Sequence, residues 1–65
     1  MTREEVEKYL GKKVKITAKI NKNEFVFEGR LSFDVIYQKY RLVSVGEPII
    51  MLNLTNLKQI EELKK

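Results

Sequence analysis

The stretch from Lys13 to Phe33 alternates with a period of two, and this limits the possible folds more than any other feature. Val14, Ile16, Ala18 and Ile20 alternate with Lys13, Lys15, Thr17 and Lys19. That pattern is a half-buried strand over 13–20 with one basic face. Asn21-Lys22-Asn23-Glu24 supplies turn chemistry. Phe25, Phe27, Gly29, Leu31 and Phe33 then line one face of a second strand, about 24–33, whose large side chains are expected in the core. Gly29 interrupts that stripe, and a glycine there lets the strand bend or a neighbouring backbone approach. A strand bent at mid-length suits a barrel better than a flat sheet.

The flanking segments complete a mainly β chain behind one helix. Thr2-Arg3-Glu4-Glu5 fits a capping box. Val6, Tyr9 and Leu10 share one helical face, and Gly11 is placed as a left-handed stop. The spacing predicts a helix over 3–10. Residues 36–45, rich in β-branched and aromatic side chains, read as a third strand, and Gly46-Glu47-Pro48 as a turn. Residues 49–54 read as a fourth strand, apolar on both faces through Leu52. For the tail, Leu57, Ile60 and Leu63 are compatible with a helix over 56–64. A closing strand over 57–61 is favoured, because four antiparallel strands leave an edge for a fifth to cover.

Size and missing residue types narrow the function. The chain has 65 residues, one domain's worth, with no Cys and no His. No disulfide framework, thiolate or imidazole metal site, or His-based catalytic triad can be built. None of the carboxylates combines an apolar setting with a second acid, and no phosphate-cradling glycine loop or nucleophile elbow occurs. A binding module is expected rather than an enzyme, with no cofactor, no metal and no small-molecule substrate. The longest apolar run, Ile49–Leu52, is far short of a membrane span. The polar, acidic N-terminus is unlike a signal peptide, so a cytoplasmic location is expected. A core this small rarely supplies more than about 3–5 kcal/mol, and self-association is the expected remedy.

The net charge of +4 is unevenly spread. Residues 8–23 carry six lysines (Lys8, Lys12, Lys13, Lys15, Lys19 and Lys22) and no acid. Such a block points to a polyanionic partner. Solubilising edge lysines explain it equally well.

The order of one helix and five short strands, the second bent, resembles the Sm-like family of SH3-like barrels. Phe27-Glu28-Gly29-Arg30-Leu31-Ser32-Phe33-Asp34 looks like that family's first motif. Met51-Leu52-Asn53-Leu54-Thr55-Asn56-Leu57 followed by Ile60 is similar to the second, and Tyr9-Leu10-Gly11-Lys12-Lys13-Val14 to the helix-to-strand junction. Asn53-Leu54 stands where the family carries Arg-Gly, and Gln38 or its neighbours where it carries Asn. The resemblance implies a strongly bent antiparallel sheet closing as a barrel, RNA binding, and rings in which the fourth strand of one subunit pairs with the fifth of the next.

Candidate residues follow from both lines. Lys12, Lys13, Lys15, Lys19 and Lys22 would attract phosphate. Tyr37, Lys39 and Arg41 share one strand face by alternation, where a base could stack on Tyr37; a half-buried barrel tyrosine with its hydroxyl in water is the favoured structural reading of the same residue. Asp34 and Asn53 hold the positions that match the family's nucleotide-contacting motifs, though each also reads as a plain turn residue. Ile49, Ile50, Met51, Leu52, Leu54 and Leu57 are the candidate oligomer interface. RNA is favoured over DNA as partner. A protein-assembly barrel without nucleic acid and a duplex-binding chromatin-type barrel are the alternatives.

Overall fold

A computed structural model describes residues 1–63. The order is α1 (Arg3–Glu7), β1 (Lys13–Ile20), β2 (Asn23–Asp34), β3 (Lys39–Val43), β4 (Ile50–Leu52), a 3₁₀ turn (Leu54–Asn56) and β5 (Leu57–Glu62). The strands form one antiparallel sheet in the order β4-β3-β2-β1-β5. The tail is therefore the favoured strand, not a helix. Lys64, the last residue of the helical alternative, lies outside the described residues. Among the described residues, no helix is long and apolar enough to cross a membrane.

The helix begins as expected and stops early. Thr2 Oγ accepts from the Glu5 N–H at 3.3 Å, and a Glu5 carboxylate oxygen accepts from the Thr2 N–H at 3.0 Å. Beyond Glu7 the bonds tighten to three-residue steps, Tyr9 to Val6 and Lys12 to Tyr9, so the α-helix does not extend to Leu10. Gly11, at φ +81°, reverses the chain, and its N–H donates to the Leu31 carbonyl at 2.7 Å. This stitches the helix exit to β2.

The β1–β2 hairpin turns on two residues. Asn21 and Lys22 both have positive φ, 50° and 71°, the signature of the tight turn whose twist matches paired strands. It sets the register Lys13↔Arg30, Lys15↔Glu28, Ile16↔Phe27 and Lys19↔Glu24. Gly29 is required sterically. A Cβ there would sit 2.6 Å from the Val43 carbonyl oxygen and 2.7 Å from Ser44 Oγ.

Two strands are shorter than the sequence suggests. β3 begins at Lys39 because Asp34 takes the next residues into a turn. Its Oδ1 accepts from the Ile36 and Tyr37 N–H groups at 2.9 and 3.1 Å, and Gln38 closes the turn at φ 55°. β4 ends at Leu52, where Asn56 Oδ1 accepts from the Asn53 N–H at 3.0 Å and starts the 3₁₀ turn.

The core comprises Val6, Val14, Ile16, Ala18, Leu31, Tyr40, Leu42, Leu52, Leu57 and Ile60. Leu31 is buried as expected, but the aromatic stripe on β2 is not uniformly internal. Phe27 and Phe33 are only partly buried, and Phe25 is 43% exposed. Phe25 lies on the half of β2 that β3 does not reach, since β3 pairs only with Arg30–Asp34. Phe33 packs edge-on against Tyr40 at 5.1 Å, with the Arg3 guanidinium 5.5 Å from its ring. The side chains of Leu52 and Leu57, two of the candidate interface residues, are buried in the chain's own core.

Barrel closure is also corrected. Among the described residues β4 pairs only with β3 and β5 only with β1, so the sheet has two open edges. β4 is three residues long and the turn after it carries the chain back across β1, leaving no ladder between the ends.

Candidate nucleic-acid interface

Alternation puts Lys13, Lys15, Thr17 and Lys19 on the outer face of β1, with Val14, Ile16 and Ala18 buried behind them. Residues directly opposite in a ladder share a face, so the register determines what surrounds each lysine. Lys15 stands between Glu28 on β2 and Glu61 on β5. Lys19 faces Glu24, whose carboxylate also accepts from Lys58 Nζ at 2.8 Å. That Lys58 hydrogen bond is the main reason the Glu24 carboxyl titrates below its usual value. Lys12 Nζ is 3.6 Å from a Glu62 carboxylate oxygen. A run of lysines without an acid in sequence is therefore interleaved with acids in space.

Lys13 is different. Opposite it on β2 is Arg30, and on the β5 side is Leu63, whose N–H donates to the Lys13 carbonyl at 2.9 Å. The Arg30 guanidinium is held by a 2.7 Å bond to the Gly11 carbonyl. Arg30 was not among the candidate residues read from the sequence, where it stands within the stretch resembling the Sm-like first motif. The signal lay in the hairpin: a two-residue turn at Asn21-Lys22 forces Arg30 opposite Lys13, and Glu28 opposite Lys15. Lys22 sits at the exposed tip of that hairpin, away from Arg30.

The second cluster is rearranged. Tyr37 does not share a strand face with Lys39 and Arg41, because it belongs to the turn that Asp34 organises. It is 68% exposed, with Val35 and Ile36 beside it also in solvent. Tyr40 points inward, as alternation required. Arg41 donates to the second Asp34 carboxylate oxygen at 2.7 Å, so its charge is already paired. Lys39 stands opposite Asp34 in the ladder. The N–H group of Tyr37, then burial acting the other way, then Ile36 and Arg41 set the Asp34 carboxyl, with a net shift below its usual value.

Asn53 carries a turn bond from its N–H, and Asn56 Nδ2 donates to the Lys19 carbonyl at 3.1 Å. On the edge strand, Ile49 and Met51 remain 53% and 37% exposed, while Ile50 and Leu54 are half-buried. Among the described residues no three carboxylates gather as a metal site would require. The chain matches no family model, no curated protein and no solved structure.

Proposed function

We propose that this chain is a nucleic-acid-binding module, acting on RNA in preference to DNA, and a binding rather than a catalytic protein. The observation that carries the reading is Tyr37: an aromatic ring largely in solvent, on a turn that Asp34 holds rigid with two backbone bonds. An exposed ring on a turn whose backbone is held suits stacking of an unpaired base, worth about 1–3 kcal/mol per base. Bases in a duplex are already stacked, so a single strand is the better ligand. Lys13 and Arg30 supply phosphate attraction with no acid directly opposite either of them among the described residues. Lys15 and Lys19 contribute less, since each faces a carboxylate.

We further infer that the module works as a homo-oligomer in the cytoplasm. The open edges of β4 and β5 support the self-association, together with exposed Ile49 and Met51 beside the first. The helix, the five-strand order and the glycine that admits β3 are what support a relationship to the Sm-like family. Pairing β4 of one copy with β5 of the next would cover both edges. A pure assembly role is the second reading, favoured by the same edges.

Fluorescence anisotropy with a uridine-rich single strand, the matching DNA strand and a duplex, across salt, tests the first reading. RNA should bind most tightly, and Tyr37→Ala should weaken it at least fivefold. Equal binding of duplex, or no loss in Tyr37→Ala, would reject it. Native mass spectrometry tests the second part: copies should associate, and Met51→Lys should dissociate them.

A further inference from the structure

A cleft of about 420 Å³ opens beside Gly29, between the β1–β2 ladder and the turn that follows β3. Lys13, Arg30 and Val43 lie in one row across three strands, because Lys13 pairs with Arg30 and Arg30 with Val43. Directly opposed side chains have Cβ atoms about 5 Å apart, and like charges there destabilise a ladder. Lys15 and Lys19, on the same face of β1, stand opposite carboxylates; Lys13 stands opposite a second cation. The bond from Arg30 Nη1 to the Gly11 carbonyl fixes the guanidinium plane without neutralising its charge. Val43 and Val45 form an apolar wall, both exposed. The Ser44 hydroxyl donates to the Glu28 carbonyl, so its proton is not available to a ligand. Two carboxylates, Glu28 and Glu47, also line the cleft. Glu28 stands opposite Lys15; Glu47 is on the turn, where its N–H donates to the Ser44 carbonyl at 3.3 Å.

We propose that this cleft binds a phosphomonoester, with its phosphate between Lys13 and Arg30 and its organic body along Val43 and Val45. A phosphomonoester carries between about −1.5 and −2 near neutral pH, so it relieves the repulsion between both cations at once. A diester, with one charge, gains less. The planar guanidinium can engage two phosphate oxygens, and the lysine adds a mobile point charge. Glu47 opposes binding, so removing its charge should strengthen it. The same chemistry is offered by a free nucleotide and by the terminal phosphate of a strand. The proposal stands without the strand-binding reading, which bears only on the ligand's source.

The test is an amide NMR titration with uridine monophosphate, against uridine as the phosphate-free control. Saturable shifts are expected at Lys13, Arg30 and Val43–Glu47 with the nucleotide and not with uridine. Lys13→Gln should weaken binding about tenfold, the scale of one charge-assisted hydrogen bond, and Glu47→Gln should tighten it. Arg30→Gln also loses the bond to Gly11, so Lys13→Gln, an exposed side chain, is the deciding variant. Equal shifts with uridine, or unchanged affinity in Lys13→Gln, would overturn the proposal. A second arm compares one RNA with and without a terminal phosphate. Tighter binding of the phosphorylated strand, lost in Lys13→Gln, supports a strand end as the source. Nucleotide binding without that preference supports a free nucleotide. RNA binding by a chain whose cleft does not respond to the nucleotide overturns the cleft alone and leaves strand binding standing.

Discussion

Arg41 and Asp34 form a 2.7 Å bond across the β2–β3 ladder, while the other oxygen of the same carboxylate holds two turn N–H groups. One side chain thus fixes both the strand pair and the turn that displays Tyr37. Its folded-state pKa is lowered, chiefly by the Tyr37 N–H bond. A lowered carboxyl stabilises the fold above its unfolded pKa, and the stabilisation is lost as pH falls through the folded value. Glu24 and Glu5 shift the same way, from the Lys58 hydrogen bond and the Thr2 backbone bond respectively. The melting temperature should therefore fall as pH drops below about 4, where unperturbed carboxylates protonate. Asp34→Asn should flatten that dependence relative to the parent, and circular dichroism melts across pH measure both.

Gly29 admits the Val43 carbonyl where no Cβ would fit. Gly29→Ala should destabilise the domain by about 1–3 kcal/mol, the usual cost of overpacking. The clash is with backbone, so the upper end is expected. Urea denaturation gives the number, and an unchanged midpoint would mean that β3 is not held against β2 at this point.

Position in the ladder ranks the cations. Each phosphate contact on a single strand contributes about 0.7 to the salt slope of binding. Lys13→Gln with Arg30→Gln should lower the slope of RNA binding by about 1.4. Lys15→Gln with Lys19→Gln should lower it less, because Glu28, Glu61 and Glu24 already face those lysines. Equal effects from the two pairs would show that the carboxylates do not screen the row.

Burial separates residues that look alike in the sequence. Leu31→Ala removes a fully buried side chain and should cost about 2–5 kcal/mol, enough to unfold much of so small a domain. Phe25→Ala, at a ring 43% exposed, should cost clearly less despite its larger volume. Thermal melts of the two variants decide the order.

Much of the architecture was legible because it is encoded locally. The Thr2–Glu5 capping box and the alternation of β1 formed where their chemistry placed them, and the hairpin turned at Asn21-Lys22, within the four turn-prone residues 21–24. The site was less legible. Asp34 outcompeted the β propensity of the next residues by bonding the Ile36 and Tyr37 N–H groups, so Tyr37 lies outside the strand, and Arg41 pairs with Asp34. That the side chains of Leu52 and Leu57 turn into the chain's own core was decided by packing, not by the local apolar pattern.

What the sequence determined by itself was the succession of a capped turn of helix and alternating strands, and a lysine run of six without an acid. Periodicity and caps depend on neighbours a few residues apart, so no tertiary knowledge is needed for them. Only the folded chain decided what that run means. The two-residue hairpin and the β5 pairing bring Glu24, Glu28 and Glu61 beside the lysines and leave Lys13 facing Arg30. Charge is felt over ångströms of space rather than along the chain, so a basic stretch became a mixed face with one concentrated cationic corner.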